Sequence, residues 1–174
     1  MNPFRLPKGR PKFAVPIDAT QNACIIMAWI GVAISIAGSY LALQYLPETI
    51  PTHFGAAGVP DGHGSKMTIL LLPGISLIMN FIFEFVFRLP ACYYNYPVTI
   101  TIENAERQYR LSKTFFSTMR VLTICLLVIL NAVTIHATFR QQLNVVVMLG
   151  IIFPFVAVIF VGSLLYTVKA RRLQ

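Results

Sequence analysis

Four long hydrophobic runs divide the chain, and short polar segments separate them. The runs cover residues 23–45, 68–87, 115–137 and 145–168. Each is close to the roughly 20 residues that a helix needs to cross the core of a bilayer. No water is available there for free peptide groups, so a crossing segment must close its own hydrogen bonds as a helix. The pattern predicts an all-α integral membrane protein with four transmembrane helices.

Composition excludes a soluble helical protein. Hydrophobic residues make up 56% of the chain and charged residues only 11%, whereas soluble domains carry roughly 25% charged residues. Four apolar helices would leave too little polar surface to cover them. The first run follows basic residues, as a signal peptide does, but it exceeds the 7–15 apolar residues of such a signal. It is therefore predicted to be a permanent helix.

The polar segments complete the predicted organisation, which is one membrane domain with a basic tail at each end. The loop between helices 1 and 2 is rich in turn residues and is predicted to be structured. The loop between helices 2 and 3 is predicted to hold a short charged helix before helix 3, because Glu106 and Arg110 are spaced for an i,i+4 pair. The predicted segments are a proline-rich tail over 1–21, the membrane domain over 22–168, an outer loop over 46–67, an inner loop over 88–114 and a second tail over 169–174.

The distribution of cationic residues predicts the orientation. Of the 14 Lys and Arg residues, all but Lys66 and Arg140 lie in the two tails or near the inner loop. Cationic residues are enriched on the cytoplasmic side of membrane proteins. We therefore expect a multi-pass protein of the cytoplasmic membrane with both termini in the cytoplasm and the lipid bilayer as its main partner. Three separate basic segments do not form a nucleic-acid surface.

Two ionisable residues are predicted to lie at membrane depth and to pair. Glu84 lies one helical turn before Arg88 at the inner end of helix 2, and Arg120 lies at a similar depth in helix 3. A charge in this position is costly when it is alone. We therefore predict a Glu84–Arg120 ion pair that fixes the register of the two helices, with a proton or substrate path as the alternative.

The outer loop contains candidate metal ligands. His53 and Asp61, together with His63 and Glu48, offer side chains that zinc accepts. Their spacing matches no helix-based zinc motif such as H-E-x-x-H. A metal-dependent membrane hydrolase that uses His53 and Asp61 remains open as an alternative, although no cofactor is expected.

Turn chemistry gives the same loop a structural interpretation. Pro51 favours an extended entry, and Gly58 with the turn that starts at Pro60 reverses the chain. A hairpin of this kind would bring His53 close to Asp61. Phe54 would anchor this lid, and Ser65 is a candidate helix cap before Lys66.

The segment IPTHFGAAGVPDGHGSK, residues 50–66, resembles a signature of small bacterial membrane proteins of unknown function. The same module forms the N-terminal part of SdpI-like immunity proteins, which protect a producer from the sporulation-delay peptide toxin. The inner-loop run NYPVTITIENAERQYRLSK resembles a second block in these relatives. The chain departs from the pattern at His63, a position at which relatives often carry an aromatic residue. The matching positions are Pro51, His53, Gly58, Pro60, Asp61, Ser65 and Lys66.

The resemblance implies immunity to a membrane-active peptide and signalling to a cytoplasmic protein. The second, C-terminal module of full SdpI proteins has no counterpart in this chain. The leading hypothesis is a non-enzymatic protein of the bacterial cytoplasmic membrane. Its outer lid would recognise a peptide or envelope component, and a cytoplasmic protein would bind inside. The alternatives are the hydrolase and an accessory subunit of a transporter.

Overall fold

The computed structural model describes residues 10–174, and the first nine residues of the predicted basic tail lie outside this range. The chain is mostly helical, with four helices long and apolar enough to cross a membrane. We call the end of the bundle that holds residues 49–65 the hairpin end, and the opposite end, which holds residues 10–18 and 169–174, the tail end. In chain order the elements are α1 (Ala19–Leu43), β1 (Thr49–Phe54), β2 (Pro60–Ser65), α2 (Leu71–Arg88), α3 (Ala105–Arg140) and α4 (Val145–Arg172).

Helix α1 begins at Ala19, four residues before the start of the predicted span. A capping box sets this start. The side chain of Asp18 accepts a hydrogen bond from the backbone N–H of Gln21 at 2.8 Å, and the side chain of Gln21 accepts one from the backbone N–H of Asp18. Such reciprocal bonds satisfy donors that a helix start leaves free. Hydrophobicity alone placed the boundary later, because the first turn is polar.

Three helices form the core of the bundle, and α4 packs mainly on α3. Helices α1, α2 and α3 all contact one another. Helix α1 packs tightly against α3 at Gly31, where a Cβ would lie only 2.9 Å from the Cγ2 atom of Ile124. None of the most apolar stretch of α4 is buried, so most of its surface is free to face lipid.

Helix α3 is one continuous helix of 36 residues, so the prediction of a separate short inner helix was wrong. Neither proline nor glycine interrupts the chain between Ala105 and Arg140, and the charged segment therefore forms the first turns of the same helix. The predicted pair of Glu106 and Arg110 is present at 3.1 Å. The helix ends at Arg140, and the next residue, Gln141, caps it in a left-handed conformation.

The hairpin expected from the turn residues is present as a two-stranded antiparallel sheet at the hairpin end, an element that the all-α fold class did not include. Strands β1 and β2 pair from Thr49 opposite Ser65 to Phe54 opposite Pro60, with two irregularities in the register. Glycine occupies two of the six β2 positions. The strand therefore lacks the alternation of apolar and polar residues by which a strand is recognised.

At the tail end, the segment before α1 packs against the connection between α2 and α3. The guanidinium of Arg10 donates to the carbonyl oxygen of Tyr94 at 2.7 Å, and Val15 joins a buried cluster that includes Tyr94 and Tyr109. Burial raises the pKa of Tyr94 to about 12. Its hydroxyl therefore stays protonated and donates to the carbonyl oxygen of Val86 at 2.8 Å.

Candidate functional site

The β-hairpin, Thr49–Ser65, forms a cap over one end of the bundle, and we call it the hairpin cap. Its turn closes through hydrogen bonds from the Gly55 N–H to the Val59 carbonyl and from the Gly58 N–H to the Gly55 carbonyl. Gly58 has a φ of +75°, a conformation that glycine adopts readily and other residues rarely do. This explains why the turn requires glycine at that position.

The hairpin cap is attached to the bundle at its turn and at its base. The backbone N–H of Leu143, between α3 and α4, donates to the carbonyl oxygen of Gly58 at 2.9 Å. A Cβ at Gly58 would collide with the carbonyl oxygen of Leu143. At the base, Ile50 is buried in a cluster with Leu46 and Ile69. The cap is therefore held at two separate points.

His53 and Asp61 come together on the exposed face of the hairpin cap. Their Nδ1 and Oδ1 atoms are 2.5 Å apart, and the side chains are 73% and 54% exposed. The contact joins strands β1 and β2 across the irregular part of the register. An exposed imidazole–carboxylate pair can donate and accept hydrogen bonds to a molecule that approaches from solvent.

The other candidate metal ligands do not join this pair. Glu48 binds Lys66 at 2.8 Å at the base of the cap, and His63 lies opposite Pro51 in the strand register. Within residues 10–174 no three His, Cys, Asp or Glu side chains are grouped to hold a metal ion. A zinc site takes three or four protein ligands, and His53 and Asp61 supply two.

The remaining residues of the predicted motif lie where they shape the hairpin. Pro51 is buried, and with Phe54 it lines a largely apolar cavity of about 310 Å³ between the cap and the helices. Pro60 pairs with Phe54 in the register. The Ser65 hydroxyl accepts from the N–H of Met67 at 3.3 Å and caps the short 3₁₀ turn before α2.

A larger open groove lies beside the Gly58–Leu143 contact, between the turn of the hairpin cap and the α3–α4 connection, and we call it the hairpin-end groove. Its volume is about 810 Å³. Polar side chains from α3 and the connection face Ala56 and Ala57 across it; these are His136, Arg140, Gln142 and Asn144. The groove thus combines a concave shape with several hydrogen-bond donors.

Arg140, Gln142 and Asn144 were not predicted to belong to a site. They are far from the hairpin in sequence and lie beside Leu143, which binds Gly58 in the folded chain. No spacing rule predicts such a contact. One sequence feature pointed toward this region: Arg140 is the only cationic residue near the predicted loop between helices 3 and 4.

Inside the bundle, a second polar cluster surrounds Arg120, and we call it the arginine cluster. Arg120 is 1% exposed. Its Nη1 atom donates to the carboxylate of Glu84 at 2.7 Å and its Nε atom donates to the Oδ1 atom of Asn80 at 2.7 Å. The structure therefore brings together the two residues that sequence reasoning paired and adds Asn80, one turn along α2 from Glu84.

Further polar contacts join the helices nearer the hairpin end. The side-chain amide of Asn131 on α3 donates to the carbonyl oxygen of Ser35 at 3.2 Å and to the hydroxyl of Ser39 at 3.0 Å, both on α1. Between this group and the arginine cluster lies an apolar layer that includes Val32 and Ile124. This apolar layer separates the two groups of buried polar side chains.

Two similarities to known proteins cover different lengths of the chain. Residues 30–77 match a family described as a domain of unknown function, DUF1648. The matched segment runs from the middle of α1 through the hairpin cap into α2. An uncharacterized protein of Archaeoglobus fulgidus is 28% identical over 173 aligned residues, which cover 91% of this chain and 94% of that protein. No solved structure matches the chain.

These similarities extend to the hairpin cap but assign no activity to it. The matched DUF1648 segment contains His53, Asp61 and Gly58, so the cap is part of what the chain has in common with that family. Neither description names an immunity role or a ligand. The role implied by the resemblance to SdpI-like proteins remains a prediction.

Proposed function

We propose that this protein is a non-enzymatic membrane protein that recognises a peptide on the outer face of the membrane. The hairpin cap and the hairpin-end groove together form the recognition surface. The four apolar helices anchor it in the bilayer, and the hairpin end faces the exterior. The cationic residues support this orientation, because most of them lie at the tail end or in the tails.

The observation that carries the proposal is the hairpin-end groove. Its volume of about 810 Å³ falls in the range of pockets that enclose a ligand, roughly 300–1,000 Å³. Both walls are held in place, because the Leu143 N–H binds the Gly58 carbonyl between them. A preformed groove of this kind loses little conformational freedom when it binds.

A peptide fits the chemistry of the groove and the cap. Arg140 and the side-chain amides of Gln142 and Asn144 can donate hydrogen bonds to the carbonyl groups of a peptide. The exposed His53–Asp61 pair offers a further donor and acceptor. The resemblance to SdpI-like proteins makes a membrane-active toxin peptide the first candidate, and immunity the first candidate role.

Survival of toxin-treated cells tests the proposal. The chain is expressed in a host that is sensitive to the sporulation-delay peptide and to a panel of other membrane-active peptides, with membrane levels checked by immunoblot. Wild-type protein is expected to increase survival over an empty vector for at least one peptide. Ala57→Trp, which fills the groove, is expected to remove this protection.

A matched variant controls for damage to the hairpin. Val59→Trp places the same side chain two residues away, at an exposed position that does not line the groove, and it is expected to protect like the wild type. No protection by well-expressed wild-type protein against any of the peptides, or full protection by Ala57→Trp, would overturn the proposal.

A further inference from the structure

Three cationic side chains converge on a pocket at the tail end, and we call it the basic pocket. Lys12, Arg88 and Lys113 line this cavity of about 370 Å³. They come from the segment before α1, the last residue of α2 and the third turn of α3. Only the folded chain brings them together.

The segment before α1 is held in a position that keeps Lys12 at the pocket. Arg10 donates to the carbonyl oxygens of Cys92 and Tyr94, at 3.2 Å and 2.7 Å. The Tyr109 hydroxyl donates to the carbonyl oxygen of Pro11 at 2.9 Å. These contacts fix the two residues before Lys12 against the connection between α2 and α3 and against α3 itself.

The basic pocket carries an excess of positive charge. Arg88 shares Glu84 with Arg120, whereas Lys12 and Lys113 form no ion pair with any residue in the range 10–174. The Lys113 Nζ atom lies 4.8 Å from the centroid of the Phe87 ring. Lys113 is partly buried, whereas Lys12 and Arg88 are exposed. Three cations beside one carboxylate, that of Glu84, leave a net positive charge, which attracts an anionic headgroup.

An apolar surface leads from the pocket along α2. Ile78, Phe81 and Phe85 share one face of the helix with Arg88, by their spacing of three and four residues, and all three are exposed. Arg88 ends the candidate membrane span, which puts the basic pocket at the level of lipid headgroups. A free anion would make no use of the apolar face, whereas the acyl chains of a phospholipid would cover it.

We propose that the basic pocket binds the phosphate of an anionic phospholipid whose acyl chains lie along the Phe81 and Phe85 face of α2. Lys12, Arg88 and Lys113 neutralise the headgroup, and the segment before α1 closes the site. Basic pockets at the membrane surface attract anionic headgroups in this way. The site is at the opposite end of the bundle from the hairpin-end groove and does not depend on peptide recognition.

Native mass spectrometry of the full-length, delipidated protein in detergent tests the proposal. Dioleoyl phosphatidylglycerol is expected to bind at least about tenfold more tightly than dioleoyl phosphatidylcholine, which has the same acyl chains and no net charge. The double variant Lys12→Gln with Lys113→Gln is expected to bind phosphatidylglycerol about thirtyfold more weakly. Equal binding of the two lipids by the wild type would overturn the proposal.

Two further variants separate the pocket from general effects of charge or folding. Arg171→Gln with Arg172→Gln removes the same charge from the tail end outside the pocket, and it is expected to bind like the wild type. Lys12→Arg with Lys113→Arg keeps both charges and is expected to retain binding. If the Arg171 and Arg172 variant loses as much phosphatidylglycerol binding as the Lys12 and Lys113 variant, the proposal is overturned. So would displacement of the lipid by inorganic phosphate, which would identify a free anion as the ligand.

Discussion

Arg120 shows how much of the interior depends on one residue. The hydrogen bonds that it donates to Glu84 and Asn80 both join α3 to α2. Its guanidinium also lies 6.0 Å from the centroid of the Trp29 ring on α1. One side chain therefore contacts or approaches both of the other core helices. An isolated buried charge would be costly, and the contacts with Glu84 and Asn80 offset this cost.

Removing the charge of Arg120 is expected to destabilise the bundle. Breaking a buried pair by removal of one partner costs roughly 3–5 kcal/mol, and the partial exposure of Glu84 places this loss at about 3 kcal/mol for Arg120→Gln. Arg120→Lys should lose part of this stabilisation, since one ammonium group cannot reproduce the two hydrogen bonds that the planar guanidinium donates to Asn80 and Glu84. Equilibrium unfolding in mixed micelles, followed by the fluorescence of the single tryptophan Trp29, measures the change.

Arg110→Gln is the matched control for this measurement. Arg110 pairs with Glu106 on the same helix, and both side chains are largely exposed. Exposed pairs of this kind contribute less than about 1 kcal/mol, so the unfolding midpoint should stay close to that of the wild type. Equal midpoints for Arg120→Gln and Arg110→Gln would show that the buried pair does not stabilise the bundle.

The residues of the arginine cluster were partly predictable from sequence. Helical spacing places Asn80 and Glu84 on one face of α2, and the cost of a charge at membrane depth suggested Arg120 as the partner. The bond between Arg120 and Asn80 was not predictable. It depends on the rotation of α3 about its own axis, which the packing of Gly31 against Ile124 helps to set.

Among the elements, the hairpin cap depends on the backbone conformation of one residue, Gly58. Its turn needs the positive φ of Gly58, and its attachment to the bundle uses the carbonyl oxygen of the same residue. Turn residues in the sequence predicted a chain reversal here. The strands themselves were not predictable, because glycine-rich β2 has too few side chains to show a pattern.

Gly58→Ala is expected to loosen the hairpin cap and leave the helices intact. The left-handed conformation costs a residue with a Cβ roughly 1–2 kcal/mol, and the collision with the carbonyl of Leu143 adds to this. Amide hydrogen exchange in residues 55–65 should be roughly tenfold faster or more. Mass spectrometry of peptides from the cap and from α3 measures the two regions separately.

Gly74→Ala provides the control on a neighbouring element. A Cβ at Gly74 would meet nothing within 4 Å, and alanine is a better helix former than glycine. Exchange in the hairpin cap should then match the wild type. If Gly58→Ala also leaves exchange in the cap unchanged, the bond between Gly58 and Leu143 does not hold the cap in place.

For the molecule as a whole, hydrophobic length predicted the number of long helices, while local polar residues decided where they begin and end. The capping box at Asp18 moved the start of α1. The absence of glycine and proline between Ala105 and Arg140 merged two predicted helices into one. The contact between the hairpin cap and the α3–α4 connection joins residues about 85 positions apart, so it emerges only once the helices are packed.

The orientation of the whole molecule is the premise of the proposed function, and it can be measured directly. In a variant whose own cysteines Cys24, Cys92 and Cys125 are replaced by serine, Ala57→Cys places one thiol on the exposed turn of the hairpin cap. A membrane-impermeant maleimide should label it in intact cells, because the charge distribution places this end outside. Arg171→Cys in the same background, at the tail end, should react only after lysis. Labelling of Arg171→Cys in intact cells, with Ala57→Cys unlabelled, would show the opposite orientation. The groove would then be out of reach of any external peptide.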